Sequence, residues 1–142
     1  MILENKNYIR KANYYETDRM GIVHHSNHIR YFEEARISFM NSIGCDVMIL
    51  ENEGVIIPNV DAYAKYIKPI RFSDEVYIEV KLVKFNGAVM KYEYTVRFCS
   101  DNSIAATGFT THCFVGKDFR PISIKKKYPE FYERLNNALE AC

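Results

Sequence analysis

VYIEVKLVKFNGAVMKYEYTVRF, residues 76–98, decides the fold class. Val76, Ile78, Val80 and Leu82 alternate with Tyr77, Glu79 and Lys81, and Tyr92, Tyr94, Val96 and Phe98 alternate with Lys91, Glu93, Thr95 and Arg97. A period of two sends successive side chains to opposite faces, so each run is a half-buried strand. Asn86-Gly87 between them is a hairpin signal, because these residues accept the positive φ of a tight turn. Working outward, Ser103–Val115 follows the Asp101-Asn102 turn and is rich in Thr, Ala and Phe. Val55–Tyr66 reads as a strand ended by Lys68-Pro69, and Tyr8–Tyr15 is β-prone. Four strands in succession must be largely antiparallel, since their connections are too short for crossovers.

The period changes to helical upstream. Ile29, Phe32, Ala35, Phe39 and Ile43 form one apolar stripe, Ser26 or Asn27 can act as N-cap, and Gly44 supplies a stop. Arg30 and Glu34 stand at i and i+4 on the solvated side. A short amphipathic helix from about Tyr128 to Leu139 closes the chain. The order predicts an α+β fold, one dry face of an antiparallel sheet packed on the long helix.

At 142 residues, with no repeat, linker or low-complexity tract, a single domain spanning 1–142 is expected. The net charge is +1, which disfavours nucleic-acid binding. No run approaches the ~20 apolar residues of a membrane span, so no membrane insertion is expected. Cys45, Cys99, Cys113 and Cys142 are scattered without a C-x-x-C pair. They are expected to be buried free thiols of a cytoplasmic protein.

Polar chemistry concentrates in YYETDRMGIVHHSNH, residues 14–28, where a strand hands over to the long helix. Three of the four histidines lie within residues 24–28. Helix-terminal N–H groups favour a developing oxyanion, and a carboxylate just ahead of them has the parts to attack or hydrate an acyl carbonyl. Asp18 is a candidate for that role or a turn-former that orders the loop. Glu16, two residues earlier in an extended segment, would point the same way and could tune it. His24 and His28 stand four apart, a spacing that can bind zinc, but no H-E-x-x-H or cysteine pair accompanies them and no metal is expected.

The run Tyr15-Glu16-Thr17-Asp18-Arg19-Met20-Gly21-Ile22-Val23-His24-His25, followed by Arg30-Tyr31-Phe32-Glu33-Glu34-Ala35-Arg36, resembles the signature of hot-dog-fold acyl-CoA thioesterases. The branch it is similar to is the 4-hydroxybenzoyl-CoA thioesterase family, including its Tol–Pal-associated short-chain members. Tyr66–Glu75, Thr110–Val115 and Arg120-Pro121 resemble later segments of the same family. The resemblance implies a five-stranded antiparallel sheet wrapped around the long helix, and homo-oligomers (dimers of dimers) with active sites between subunits. It implies hydrolysis of an acyl-CoA thioester to the acid and coenzyme A. Asp18 would be nucleophile or general base, and the backbone N–H at His25 would polarise the carbonyl.

Around these, Val23, His24 and His28 are expected to line the substrate, and Tyr66 and Phe72 the acyl pocket. Lys84 and Arg120 are candidates for the phosphates of coenzyme A, as is the Lys125-Lys126-Lys127 run. Glu33 and Glu34 are rival carboxylates, because another hot-dog branch uses a helix glutamate. No cofactor beyond the coenzyme A of the substrate is expected. The alternative is a non-catalytic acyl-CoA binding or sensing module.

Overall fold

The computed structural model describes residues 8–141. Five strands, β1 (Tyr8–Lys11), β2 (Asn59–Tyr66), β3 (Glu75–Phe85), β4 (Val89–Phe98) and β5 (Ile104–Cys113), form one antiparallel sheet in the order β1-β3-β4-β5-β2. The hairpin at Asn86 is present, with its Oδ1 accepting from the Ala88 and Val89 N–H groups. Helix α1 (Ser26–Ser42) touches β1 and β2, the two edge strands, as well as β3. Edges of a flat five-stranded sheet would lie about 19 Å apart, too far for one helix of about 10 Å diameter. The sheet therefore curls around α1.

Close contact needs a gap in the sheet's side-chain layer, and Gly108 makes it. Phe32 of α1 stacks on Tyr94 with ring centroids 4.4 Å apart. A Cβ on Gly108 would lie 2.5 Å from the Phe32 ring and 2.3 Å from the Tyr63 carbonyl oxygen. The buried face of α1 is broader than the predicted stripe and includes His28, Tyr31, Arg36 and Met40. Ile29, Phe39 and Ile43 pack against this core from its border. Arg36 donates to the Tyr94 hydroxyl, which pairs with Thr110 Oγ1, the partner of His112 Nε2.

Several expected boundaries move. The Tyr8–Tyr15 strand stops at Lys11 and gives way to a 3-10 turn at Tyr14–Glu16. The Val55–Tyr66 strand starts at Asn59, preceded by a short helix α2 (Val47–Asn52) whose N-cap Asp46 accepts from Met48 N–H. The C-terminal segment is a four-residue helix α3 (Ile124–Lys127), then α4 (Pro129–Ala141), which packs on β3. Of the cysteines expected to be buried, Cys45 is, Cys99 is exposed and Cys113 is half-buried. Cys142 lies outside the described residues.

The 3-10 turn overturns the expectation for Glu16. Its carboxylate is buried and engaged by its own partners, although Glu16 and Asp18 border one recess. It accepts from both terminal nitrogens of Arg10, from the Tyr31 hydroxyl at 2.8 Å and from the Asn13 N–H at 2.9 Å. Glu34 is no local partner of Arg30: it takes Arg10 Nε at 2.9 Å and the Tyr8 hydroxyl at 3.1 Å. Arg30 turns instead to Ser26 and Asn27. Burial on its own would raise the Glu16 pKa, but Arg10, Asn13 and Tyr31 outweigh it and hold it below the usual carboxylate range.

Two outcomes follow from these contacts. Gly108→Ala should cost roughly 3 kcal/mol through overpacking, read as a lower urea midpoint. Glu16→Gln should cost about 2–3 kcal/mol at pH 7, less than the full loss of a buried pair because Arg10 keeps Glu34. A lowered folded-state pKa stabilises above the unfolded value and is lost as pH falls through the folded one. The gap between wild type and Glu16→Gln should therefore narrow as urea melts are taken from pH 5 towards pH 2.

Candidate active site

The loop between the 3-10 turn and α1 is held at both ends. Thr17 and Val23 form an isolated antiparallel bridge, and the Asp18 N–H bonds the Ile22 carbonyl. At the tip, the Gly21 N–H reaches the Asp18 carbonyl, and Gly21 adopts φ +78°, a conformation glycine takes without strain. Asp18 Oδ1 accepts from the Met20 N–H at 2.8 Å. No ion pair holds Asp18 among the described residues, so its second oxygen is free for another partner.

The loop enters α1 through an unusual cap. The predicted N-cap Ser26 or Asn27 is displaced by His25. The Ser26 N–H goes to the His24 ring Nδ1, Asn27 N–H to the His24 carbonyl and His28 N–H to the His25 carbonyl. The His24 N–H bonds the Glu16 carbonyl. Among the described residues, the His25 N–H meets no acceptor. It is the free donor at the positive end of a 17-residue helix.

Asp18 and His25 lie on one cavity of about 490 Å³. Val23, His28 and Tyr66, all predicted site residues, line it too. Sequence reading missed Met20, Ile22, Ile67, Lys68, Pro69 and Ile70, which complete the wall. The signal for the last four was the Lys68-Pro69 strand end and the family-like Tyr66–Glu75 segment around it, from which only Tyr66 and Phe72 were taken as lining residues. Tyr66 closes β2, with its ring edge-on to His28 at 4.8 Å. Burial, and then the neighbouring His25, push the His28 pKa down to about 4, so its imidazole is neutral at pH 7.

Other predicted residues lie apart. His24 precedes the helix, so it and His28 do not share a helix face; its ring lies tilted against that of His25 at 4.0 Å and lines a polar recess with Arg10, Glu16, Asn27 and Asp18, which borders the cavity as well. Phe72 packs edge-on against Tyr14 at 5.6 Å, outside the cavity wall. Lys84 sits in the cross-strand row Lys84–Lys91–Thr111–Asp61, and Asp61 is five residues, about 17 Å, from Tyr66 along β2. Arg120 is in the exposed turn after β5 beside Asp118. Neither cation reaches the cavity of its own chain. Glu33 is exposed and Glu34 is held by Arg10, so Asp18 is the carboxylate on the cavity.

A carboxylate with a free oxygen, an unengaged helix N–H and a largely apolar wall suit attack on an acyl carbonyl. Comparison with known proteins agrees. Residues 12–139 match the model of the thioesterase-like superfamily. A provisionally named esterase of Aquifex aeolicus is 37% identical over 87% of this chain and 94% of its own length. A Bacillus subtilis protein, provisionally named an acyl-CoA thioesterase, is 30% identical over 90% of this chain and 93% of its own. The crystal structure of a DHNA-CoA thioesterase from Staphylococcus aureus superposes with a TM-score of 0.91 at 27% identity, covering 96% of this chain and 91% of that one. The α+β architecture is thus the hot-dog fold, and the chain belongs to the thioesterase-like superfamily as a thioester hydrolase.

Proposed function

We propose that the chain hydrolyses acyl-CoA thioesters, with Asp18 and the His25 N–H as the reacting groups. The observation that carries this reading is the pairing of a carboxylate that has a free oxygen with an unengaged helix N–H on one cavity. The thioester carbonyl accepts from the His25 N–H, which meets the negative charge as it develops on oxygen. Asp18 either takes a proton from the attacking water or attacks the carbonyl carbon itself, forming an anhydride that water then opens. In both routes the C–S bond breaks and coenzyme A leaves as the thiol. No metal or resident cofactor enters the mechanism.

The same proposal includes a homo-oligomer in the cytosol. β2 is an edge strand, and Val60, Tyr63 and Tyr66 on it, with Ile67 just beyond, are large apolar side chains in the open. Proteins seldom leave such an edge uncovered. Lys84 and Arg120, remote from their own chain's cavity, would serve a coenzyme A tail only across such an interface. Turnover is favoured over acyl-CoA sensing because the superfamily relatives carry thioesterase names.

A thiol-release assay over acyl-CoAs from short aliphatic to aromatic and long-chain tests the reading. Asp18→Asn keeps the shape of the side chain and removes the base, so kcat should fall at least about 100-fold. Near-normal turnover in this variant would refute the assignment.

A further inference from the structure

Asp18 borders two spaces: the cavity it shares with His25, and a polar recess of about 550 Å³ that it shares with His24. The loop ladder fixes how Asp18 and His24 stand to one another. Thr17 bridges Val23, the Asp18 N–H bonds the Ile22 carbonyl and the His24 N–H bonds the Glu16 carbonyl. In that register Asp18 and His24 are diagonal neighbours on one face, roughly 7–8 Å apart. Their free atoms are complementary. The Ser26 N–H can only donate, so His24 Nδ1 accepts from it, and this bonding pattern assigns the ring proton to Nε2. Among the described residues Nε2 meets no acceptor, and Asp18 keeps its second oxygen. Other polar groups on the recess are engaged: Arg10 by Glu16 and Glu34, Thr17 by the Tyr14 carbonyl, Asn27 by the Glu16 carbonyl and by Arg30.

We infer that His24 is a positioning residue that holds the hydrolytic water against Asp18 from this recess. This rests on the acyl-CoA hydrolase reading, by its water route. A donor and an acceptor on diagonal positions leave room for one water between them, and a water bound to protein needs two or more polar partners. The water accepts from the His24 Nε2–H and donates to the free Asp18 oxygen, which leaves its second lone pair for the thioester carbon. The His24 ring lies 4.0 Å from that of His25, so the water is held beside the N–H that receives the carbonyl. In the reaction the water oxygen bonds to the carbonyl carbon while its proton passes to Asp18. The C–S bond then breaks with its electron pair on sulfur, which takes the proton from Asp18 and leaves as the thiol. An acyl group that fills the largely apolar cavity drives water out of it, whereas the polar recess still supplies Asp18 from its other side.

Two substitutions separate this role from capping. In His24→Asn the amide oxygen stands near Nδ1 and still accepts from Ser26, but the outer donor is gone; in His24→Gln the amide nitrogen stands near Nε2 and the cap acceptor is lost. Thiol release gives kcat and KM on the best substrate of the acyl-CoA panel, urea melts give stability, and far-ultraviolet circular dichroism checks that both variants fold. His24→Asn should lower kcat about 10-fold or more because the water is no longer held in place, with KM within about twofold and a urea midpoint close to wild type. His24→Gln should turn over at least about threefold faster than His24→Asn although its midpoint is lower. Wild-type kcat in His24→Asn, or a kcat that follows the urea midpoint through both variants, overturns the inference and leaves His24 a cap. A loss carried wholly by KM also overturns it, since it would put His24 on the substrate. If Asp18→Asn loses turnover while His24→Asn does not, the hydrolase reading stands and only the role of His24 falls. If wild type releases no thiol from any acyl-CoA, or Asp18→Asn turns over near-normally, both fall.

Discussion

One buried carboxylate sets the geometry on which the site depends. Glu16 is shared by Arg10 on β1, Tyr31 on α1 and the Asn13 N–H, and Arg10 is shared in turn with Glu34 on α1. Strand, turn and helix are thereby fixed to one another by charge-assisted bonds inside the protein. The Glu16 carbonyl also accepts from the His24 N–H and the Asn27 side-chain amide. The residue that opens the loop thus holds its far end, leaving Asp18 on a closed loop that shares a cavity with His25 at the helix N-terminus. Such closure has kinetic weight, because a misplacement of about 1 Å can cost about 100-fold in rate.

The sheet was legible because a period of two is a geometric consequence of the strand itself. Val76–Leu82 and Tyr92–Phe98 pair as their alternation requires, with Val76 opposite Phe98 and Leu82 opposite Tyr92. Partners remote in sequence were not legible. Arg30 and Glu34 have the spacing of a helix pair worth about 0.3–0.5 kcal/mol, but Arg10, 24 residues away from Glu34, offers a better-shielded bond. The turn at Tyr14–Glu16 has a mixed origin: the Asn13–Glu16 capping box is local, but Arg10 and Tyr31, which complete the pairing of the buried Glu16, are not neighbours in sequence. Helix α2 did leave a sign, the Asp46 cap, but six residues are too few for a periodic pattern.

Within the site, what could be read followed what is local. Asp18, Val23, His25 and His28 lie in one stretch whose order along the chain becomes proximity around the cavity, and Tyr66 joins them because β2 ends there. Lys84 and Arg120 were chosen by charge alone, and charge carries no address on a fold. His24 illustrates a subtler failure. Adjacent to His25 in sequence and with its ring tilted against it, it lines a neighbouring recess that meets the cavity only at Asp18, because its ring is occupied in capping Ser26.

The apolar character of the cavity links these parts energetically. A backbone N–H is a modest donor in water, but its interaction with a developing oxyanion strengthens as the effective dielectric falls. Met20, Ile22, Val23 and Ile70 lower it on one side, while Tyr66 and Ile67 do so from a strand edge that is itself half open to solvent. Under the proposed function, covering β2 with a second copy would therefore do more than hide apolar surface: it would exclude water from the carbonyl and raise the strength of the His25 N–H without moving an atom of the Asp18 loop. His28 fits the same logic. Because burial keeps it neutral, it adds no cation to compete with the carbonyl for the Asp18 carboxylate. Under the proposed function, a protonated histidine at that place would weaken Asp18 as a base, so the burial that keeps His28 neutral also favours the chemistry.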